Sequence, residues 1–424
     1  SLDPDDVENT YRTAVATAHS TLEFVGFGLP TSANGLSMDD GFAPLTLIRC
    51  TSQENGDCSS EGSGGTSQRR SKPRDQTRMA LDLALESKNH IFVLGGPGTG
   101  KTTSLRELAR RLSLTRKRTG RRDLAPRLPI FIRLSSWADQ FATNVPTDLA
   151  EAAVSQLSLH NTDRVSHWLR AQVEIQNVCL LLDGFDEVAD PDHEVAVVDA
   201  IREFVESHPA VPVVITSREI GFKKPVLGEQ FTDFRIAPLD PKGREQYVRA
   251  WTAFLHDHGA RFTCKACGRN AKQLFDAIQS QSQIGALSEN PMMLAILCIL
   301  HNAGASVPNR RWDLLQRVVE AFLFSWQERK RRTHPSAGLR APLEDREIRW
   351  VLQHIASEMQ KSDLTSVPRW WLCEQIVRYL RDDEGYPPDE ARRFADELIW
   401  ILPARTGVIV EQSPQRFCFQ HLAF

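Results

Sequence analysis

Residues 91–102 read Ile91-Phe92-Val93-Leu94-Gly95-Gly96-Pro97-Gly98-Thr99-Gly100-Lys101-Thr102. Four apolar residues make a short buried strand, a glycine-rich turn follows, and helix-forming sequence starts directly beyond it. From Gly95 to Thr102 the stretch fits GxxxxGK[ST]. Glycines let the backbone curl so that successive N–H groups aim at phosphate oxygens, and a helix N-terminus favours the same negative charge. On this pattern Gly95, Gly96, Pro97, Gly98, Thr99 and Gly100 form a phosphate cradle. Lys101 reaches the β- and γ-phosphates and the Thr102 hydroxyl binds Mg²⁺, with Thr103 beside it in the first helical turn. The bare pattern is short enough to arise by chance in 424 residues. The strand before it and the helix after it make it a nucleotide site.

A second stretch supplies the carboxylates. Val178-Cys179-Leu180-Leu181-Leu182 is a buried-strand run ending in Asp183-Gly184-Phe185-Asp186-Glu187. A Mg²⁺-bound nucleotide needs negative charge at the C-terminal end of a parallel strand beside the phosphate loop. Asp183 is the metal-side carboxylate, acting through water. Asp186 or Glu187 orients or deprotonates the attacking water; the plainer reading is that they cap the next helix.

Bulk composition is that of an ordinary globular chain, 41% hydrophobic and 25% charged, and a net charge of −3 gives no general attraction to nucleic acid or membrane. The sequence contains no run of about twenty apolar residues, so no membrane span is expected, and the start has no signal-peptide pattern. Eight cysteines are scattered, several inside apolar runs, which points to reduced thiols and a cytoplasmic protein. The chain opens on Ser1 and stops at Phe424 within an apolar pattern, so both ends are expected to be cut from something longer.

Residues 1–50 hold a helix around 7–24 and an irregular apolar section; residues 51–76, rich in Ser, Gly and charge, make a flexible linker. From 77 to 240 a short helix, 80–86, precedes alternating strands and helices. Strands are expected at 91–94, 129–134, 178–182 and 211–216, with a weaker one at Phe234-Arg235-Ile236. Near-continuous apolar runs mark strands covered on both faces, hence a three-layer αβα domain with a parallel sheet. Beyond Leu239 the pattern becomes helical. Residues 241–308 form a small helical domain, and 309–424 end in a hairpin at 406–410 and 416–419 that suits the wing of a winged helix.

The phosphate loop, Leu180-Leu181-Leu182-Asp183-Gly184-Phe185-Asp186-Glu187 and Ile215-Thr216-Ser217-Arg218 occur in order at workable spacings. Together they resemble a NACHT domain, the STAND-type signal-transduction NTPase module within the AAA+ architecture. The likeness continues through residues 129–134, Ser288-Glu289-Asn290-Pro291-Met292-Met293-Leu294 and Arg416-Phe417-Cys418-Phe419-Gln420-His421, and the wording is nearest to prokaryotic members. The resemblance implies that Arg218 senses the γ-phosphate, that Pro291 packs on the adenine, and that His421 contacts the β-phosphate of ADP in a closed form. It further implies ATP or ADP as ligand with Mg²⁺, slow ATP hydrolysis, self-association on activation, a trigger read by a region outside this chain, and a role in defence signalling.

Plainer readings stand beside these. Arg218 also fits a strand-end cap paired with a carboxylate, Pro291 a helix N1 residue after Asn290, and His421 a surface or core histidine. Cys264-Lys265-Ala266-Cys267 is half a zinc site and reads as an exposed loop. The basic run between Arg106 and Arg127, and Arg329-Lys330-Arg331-Arg332, lack interleaved aromatics and read as solvated faces rather than a nucleic-acid surface. The rival functions are an AAA+-like ATP-driven motor and a DNA-binding regulator acting through the winged helix; a small-molecule kinase is the weakest, lacking an acceptor motif.

Overall fold

The computed structural model describes residues 4–22, 36–38, 44–50, 78–96, 98–115, 127–141, 148–188, 191–218, 227, 230–258, 271–302, 306–308, 310, 313–314, 316–317, 345–364, 366–406, 409–413 and 415–419. The linker expected at 51–76, the CxxC at 264–267 and the basic stretches 116–122 and 329–332 lie outside these residues. Most of residues 312–332 do so too. Two compact units are present: one comprises residues 1–20 and 42–239, the other 21–41 and 240–424.

In the first unit the strands are β3 (Thr46–Arg49), β4 (Arg78–Ala80), β5 (His90–Leu94), β6 (Leu128–Arg133), β7 (Val178–Asp183), β8 (Val213–Ser217) and β9 (Thr232–Ile236). The sheet order is β4-β3-β9-β5-β8-β7-β6. β9, β5, β8, β7 and β6 run parallel, while β3 and β4 add an antiparallel edge beyond β9. Every residue of β5, β7 and β8 is buried. Successive strand residues face opposite sides, so unbroken burial means that both faces of the sheet are covered. The three-layer α/β expectation is met, and its cause is the one inferred from the apolar runs. The β3–β4 edge is not foreseen from the sequence; its strands are too short to carry a readable pattern and depend on β9 to form.

Seven helices of this unit are described. They are α1 (Pro4–Ala18), α2 (Leu81–Ser87), α3 (Lys101–Leu114), α4 (Leu134–Phe141), α5 (Leu149–Ser155), α6 (Thr162–Glu174) and α7 (Pro191–Ser207). α1 ends at Ala18, short of the boundary expected at residue 24, and packs on α3, the helix after the phosphate loop. Each of the two helices caps the other. Arg12 Nη1 donates to Leu112 O at 2.8 Å, at the C-terminal end of α3, and Arg106 Nη2 donates to Ala18 O at 3.1 Å, at the C-terminal end of α1. Those carbonyls lack intrahelical partners, and a guanidinium there also complements the helix dipole. Tyr11 is fully buried, lies against Trp168, and donates its hydroxyl to Pro129 O at 2.7 Å.

Part of the basic run is internal structure. Arg110 pairs with Glu107, Arg111 pairs with Asp82 of α2, and Arg127 donates to the carbonyls of Gln176, Val178 and Ala210.

The second unit contains a two-stranded ladder, β1 (Thr21–Leu22) with β2 (Leu36–Ser37), and helices α8 (Pro241–His258), α9 (Ala271–Gln279), α10 (Ser282–Leu287) and α11 (Pro291–Asn302). α11 is apolar over most of its length and packs on α8. It is followed by α12 (Asp345–Lys361), β10 (Val367–Pro368), α13 (Arg369–Asp382), α14 (Pro388–Thr406), β11 (Ile409–Ser413) and β12 (Arg416–Phe419). β10, β12 and β11 form an antiparallel sheet in that order. Among the described residues, no helix is long and apolar enough to cross a membrane.

Tyr11→Ala is expected to destabilise the first unit by about 3–5 kcal/mol, as for other buried aromatic truncations. Tyr11→Phe removes only the hydroxyl and should cost about 1–3 kcal/mol, because Pro129 O stays buried without its donor. Chemical denaturation followed by far-UV circular dichroism checks both; equal midpoints for the two variants would mean that ring packing contributes nothing beyond the hydrogen bond.

Candidate nucleotide-binding site

The site gathers at the C-terminal ends of β5, β8 and β7, three neighbouring parallel strands. β5 hands over to the glycine turn. Gly95 N donates to Ser217 O at 3.2 Å, which anchors the start of the loop to the end of β8. Thr99 Oγ1 donates back to Gly96 O at 2.8 Å. Gly98 and Gly100 have φ of 71° and 92°, the left-handed region that side chains disfavour. A Cβ at Gly100 would also sit 2.8 Å from Leu45 Cδ1, and one at Gly95 would sit 2.7 Å from Thr99 Oγ1. The loop is therefore shaped by glycine, as the motif requires.

Lys101 opens α3, and its Nζ donates to Gly95 O at 2.7 Å and Gly96 O at 3.1 Å. The ammonium is folded onto the loop it would serve, and burial lowers its pKa against the pull of Asp186. Thr102 Oγ1 donates to Asp183 Oδ1 at 3.1 Å. The same Asp183 oxygen accepts from Thr216 Oγ1 of β8 at 2.7 Å, and Thr216 Oγ1 in turn accepts from Gly184 N at 2.9 Å. Burial raises the Asp183 pKa, opposed by these two hydroxyl donors and by the charges of Arg133 and Lys101. Thr103 follows in the first turn of α3 and is half-buried.

Asp186 and Glu187, left as alternatives by the sequence, are separated by their contacts. Asp186 is engaged by Arg218: its Oδ1 accepts from Arg218 N at 2.9 Å and its Oδ2 pairs with Arg218 Nε at 2.9 Å. Glu187 turns back over Gly184, where a Cβ would lie 2.9 Å from the Glu187 Cδ. Burial first, then the charges of Asp183 and Asp186, push its pKa up to about 7, with Arg218 and Arg133 opposing. A carboxylate that titrates near neutrality suits proton abstraction from water better than one locked in an ion pair.

Pro291 lies in the second unit as the first residue of α11, and Asn290 Oδ1 caps that helix by accepting from Met292 N at 3.0 Å and Met293 N at 3.3 Å. The turn before it is held by Arg244 of α8, whose Nη1 donates to Gly285 O and to Ser288 Oγ, both at 2.9 Å. Pro97 and His421 lie outside the described residues. The structure thus brings together Gly95, Gly96, Gly98, Thr99, Gly100, Lys101, Thr102, Asp183, Asp186, Glu187 and Arg218. Sequence reasoning misses Thr216, whose signal is a hydroxyl in an otherwise apolar strand.

Gly184→Ala should push the Glu187 carboxyl off its seat, since φ at Gly184 is 78° and the space for a Cβ is taken. Hydrolysis is expected to fall by about tenfold or more with nucleotide affinity kept; wild-type turnover in this variant would show that Glu187 needs no such seat.

The NACHT domain family matches residues 89–253. No curated protein matches the chain. Among solved structures, C. elegans PCH-2 is 14% identical with a TM-score of 0.30, over 51% of this chain and 62% of that one. Drosophila ORC bound to DNA is 15% identical with a TM-score of 0.29, over 81% and 82%. A STAND protein with a tetratricopeptide repeat sensor from Pyrococcus horikoshii is 13% identical with a TM-score of 0.31, over 80% of this chain but 40% of its own. Strand order and the family match, rather than these distant likenesses, identify the fold. The chain carries a NACHT domain and is a P-loop NTPase by fold.

Proposed function

We propose that this protein is an ATP- and ADP-binding switch that hydrolyses ATP slowly and self-associates when activated, in a defence-type signalling role. The observation that carries the reading is the arrangement at the ends of β5, β8 and β7. Phosphate loop, metal-side carboxylate, candidate base and candidate phosphate sensor converge there, and the two cations that would meet phosphate are already held within the protein. Lys101 rests on loop carbonyls and Arg218 rests on Asp186.

Thr102 Oγ1 and Asp183 Oδ1 face each other at hydrogen-bond distance. Hydroxyl and carboxylate oxygens of this kind suit Mg²⁺, and Asp183 with Thr102 would hold it. When bound, that ion neutralises charge on the β- and γ-phosphates. Lys101 would leave the loop carbonyls for phosphate oxygen, and Glu187 would take a proton from the attacking water. A γ-phosphate competes with Asp186 for Arg218, because a guanidinium fork matches either acceptor. ATP and ADP therefore favour different states of the Arg218–Asp186 pair, which is the differential affinity that a switch needs.

In this reading Pro291 packs on the adenine and His421 contacts the β-phosphate of ADP. The Arg244–Ser288 bonds and the Asn290 cap support the first role by fixing the turn that carries Pro291. The order helix, strand, helix, helix, strand, strand from α12 to β12 supports a winged helix. Its last helix opens on Asp389 and Glu390, an acidic start that does not favour phosphate-backbone binding and sets the DNA-regulator reading second.

Lys101→Ala should abolish ATP and ADP binding in calorimetry; unchanged ADP affinity would remove the phosphate-loop assignment. Glu187→Gln should keep binding and lower hydrolysis by about 10²–10⁴-fold. In the wild type the base works when ionised, so hydrolysis should rise with pH through about 7 and level off above it. A rate independent of pH across that window would exclude Glu187 as the base.

A further inference from the structure

His19 directly follows the last residue of α1 and is buried, 7% exposed. Its backbone N–H still bonds Val15 O at 3.1 Å, and Ser20 donates to Thr17 O through both its N–H and its hydroxyl. The imidazole lies against the Phe131 ring of β6, with centroids 4.5 Å apart. One residue earlier, Ala18 O accepts from Arg106 Nη2 of α3 at 3.1 Å. The end of α1 is therefore fastened at two points, to α3 by a guanidinium and to β6 by a ring.

Neither ring nitrogen of His19 has a hydrogen-bond partner among the described residues. A neutral imidazole carries one donor and one acceptor, and leaving both unmade away from water costs stability. A phenylalanine would fill the same place against Phe131 without that cost. Packing therefore does not account for a histidine here; a second position of the helix end, in which water reaches the ring, does.

The charged groups facing the ring set the direction of the change. From α3 comes Arg106, tied to the adjacent residue; from β6 comes Arg133, two residues beyond Phe131 and so on the same face of the strand. Both are cations. Burial first, then these two guanidiniums, lower the His19 pKa from 6.5 to about 4. Once the end of α1 lifts, the ring regains water and its ordinary value. Docking is thus unopposed above about 6.5 and weakens as pH falls toward 4, where the docked ring takes up a proton as well. The path of the chain gives this release a consequence. α1 belongs to the first unit, whereas the chain from residue 21 enters the second and returns to the first only at residue 42.

We propose that the C-terminal end of α1 is a proton-operated latch: protonation of His19 frees residues 18–20 from α3 and β6 and so slackens the covalent lead from the first unit into the second. The inference goes beyond the nucleotide reading and does not depend on it.

The test is amide hydrogen exchange of the full chain, read by mass spectrometry at about pH 7.5 and about pH 5 and corrected for the intrinsic pH dependence of exchange. Wild-type protection at the end of α1 should fall by about tenfold or more at the lower pH, because a ring that titrates at about 4 docked and 6.5 released favours release by that much. Amides of β5 and β7 should keep their protection. His19→Phe retains the ring contact and should hold the same protection at both pH values. His19→Gln, polar but unable to titrate in this range, should show no response to pH either. An unchanged wild-type profile between the two pH values would overturn the proposal. So would an acid loss that persists in His19→Phe or His19→Gln, since another group would then be titrating, or one that spreads to β5 and β7, which would be general acid unfolding.

Discussion

One carboxylate oxygen ties the site together. Asp183 Oδ1 accepts from Thr102, at the start of α3, and from Thr216, in β8, while Asp183 itself ends β7. Three segments distant in sequence are thereby joined at one buried acceptor. A carboxylate this far from water is costly unless hydrogen-bonded, so the two hydroxyls are conditions of its presence rather than additions to it. The consequence reaches the next turn: Thr216 also accepts from Gly184 N, which starts the tight turn that seats Glu187. The position of the Glu187 side chain is thus tied to a bond made outside the phosphate loop.

The electrostatics of the site are arranged in internal pairs. Lys101 is satisfied by loop carbonyls and Arg218 by Asp186. On the proposed reading nucleotide would replace these partners, so its affinity would measure a difference between two sets of bonds rather than the strength of one. On that reading a diphosphate would compete for Lys101 alone, whereas a triphosphate would compete for Lys101 and Arg218.

Much of this is readable in the amino-acid order, for identifiable reasons. The parallel strands carry unbroken apolar runs because both their faces are covered, and the phosphate loop needs glycine at positions where backbone angles or space forbid a side chain. The three carboxylates within residues 183–187 fall where the strand ends. Other features depend on partners far along the chain. β3 and β4 are short segments that exist through their pairing with β9 and each other. The choice between Asp186 and Glu187 turns on where the Arg218 side chain goes, which no spacing encodes. The entry of residues 21–41 into the second unit leaves no local trace.

The outer margin of β6 has a bearing on how this protein can be trimmed. Pro129 offers no N–H there, Tyr11 occupies the Pro129 carbonyl, and Gln156 takes the Arg133 amide. A fragment beginning after α1 would keep the strand but lose one of these covers, together with the apolar layer that α1 lays over α3. The bared rim would then offer hydrogen-bonding groups to any extended peptide, including another copy of itself. Shortened forms cut at the start of the NTPase motifs should accordingly be sticky, because α1 closes a seam along β6 and α3.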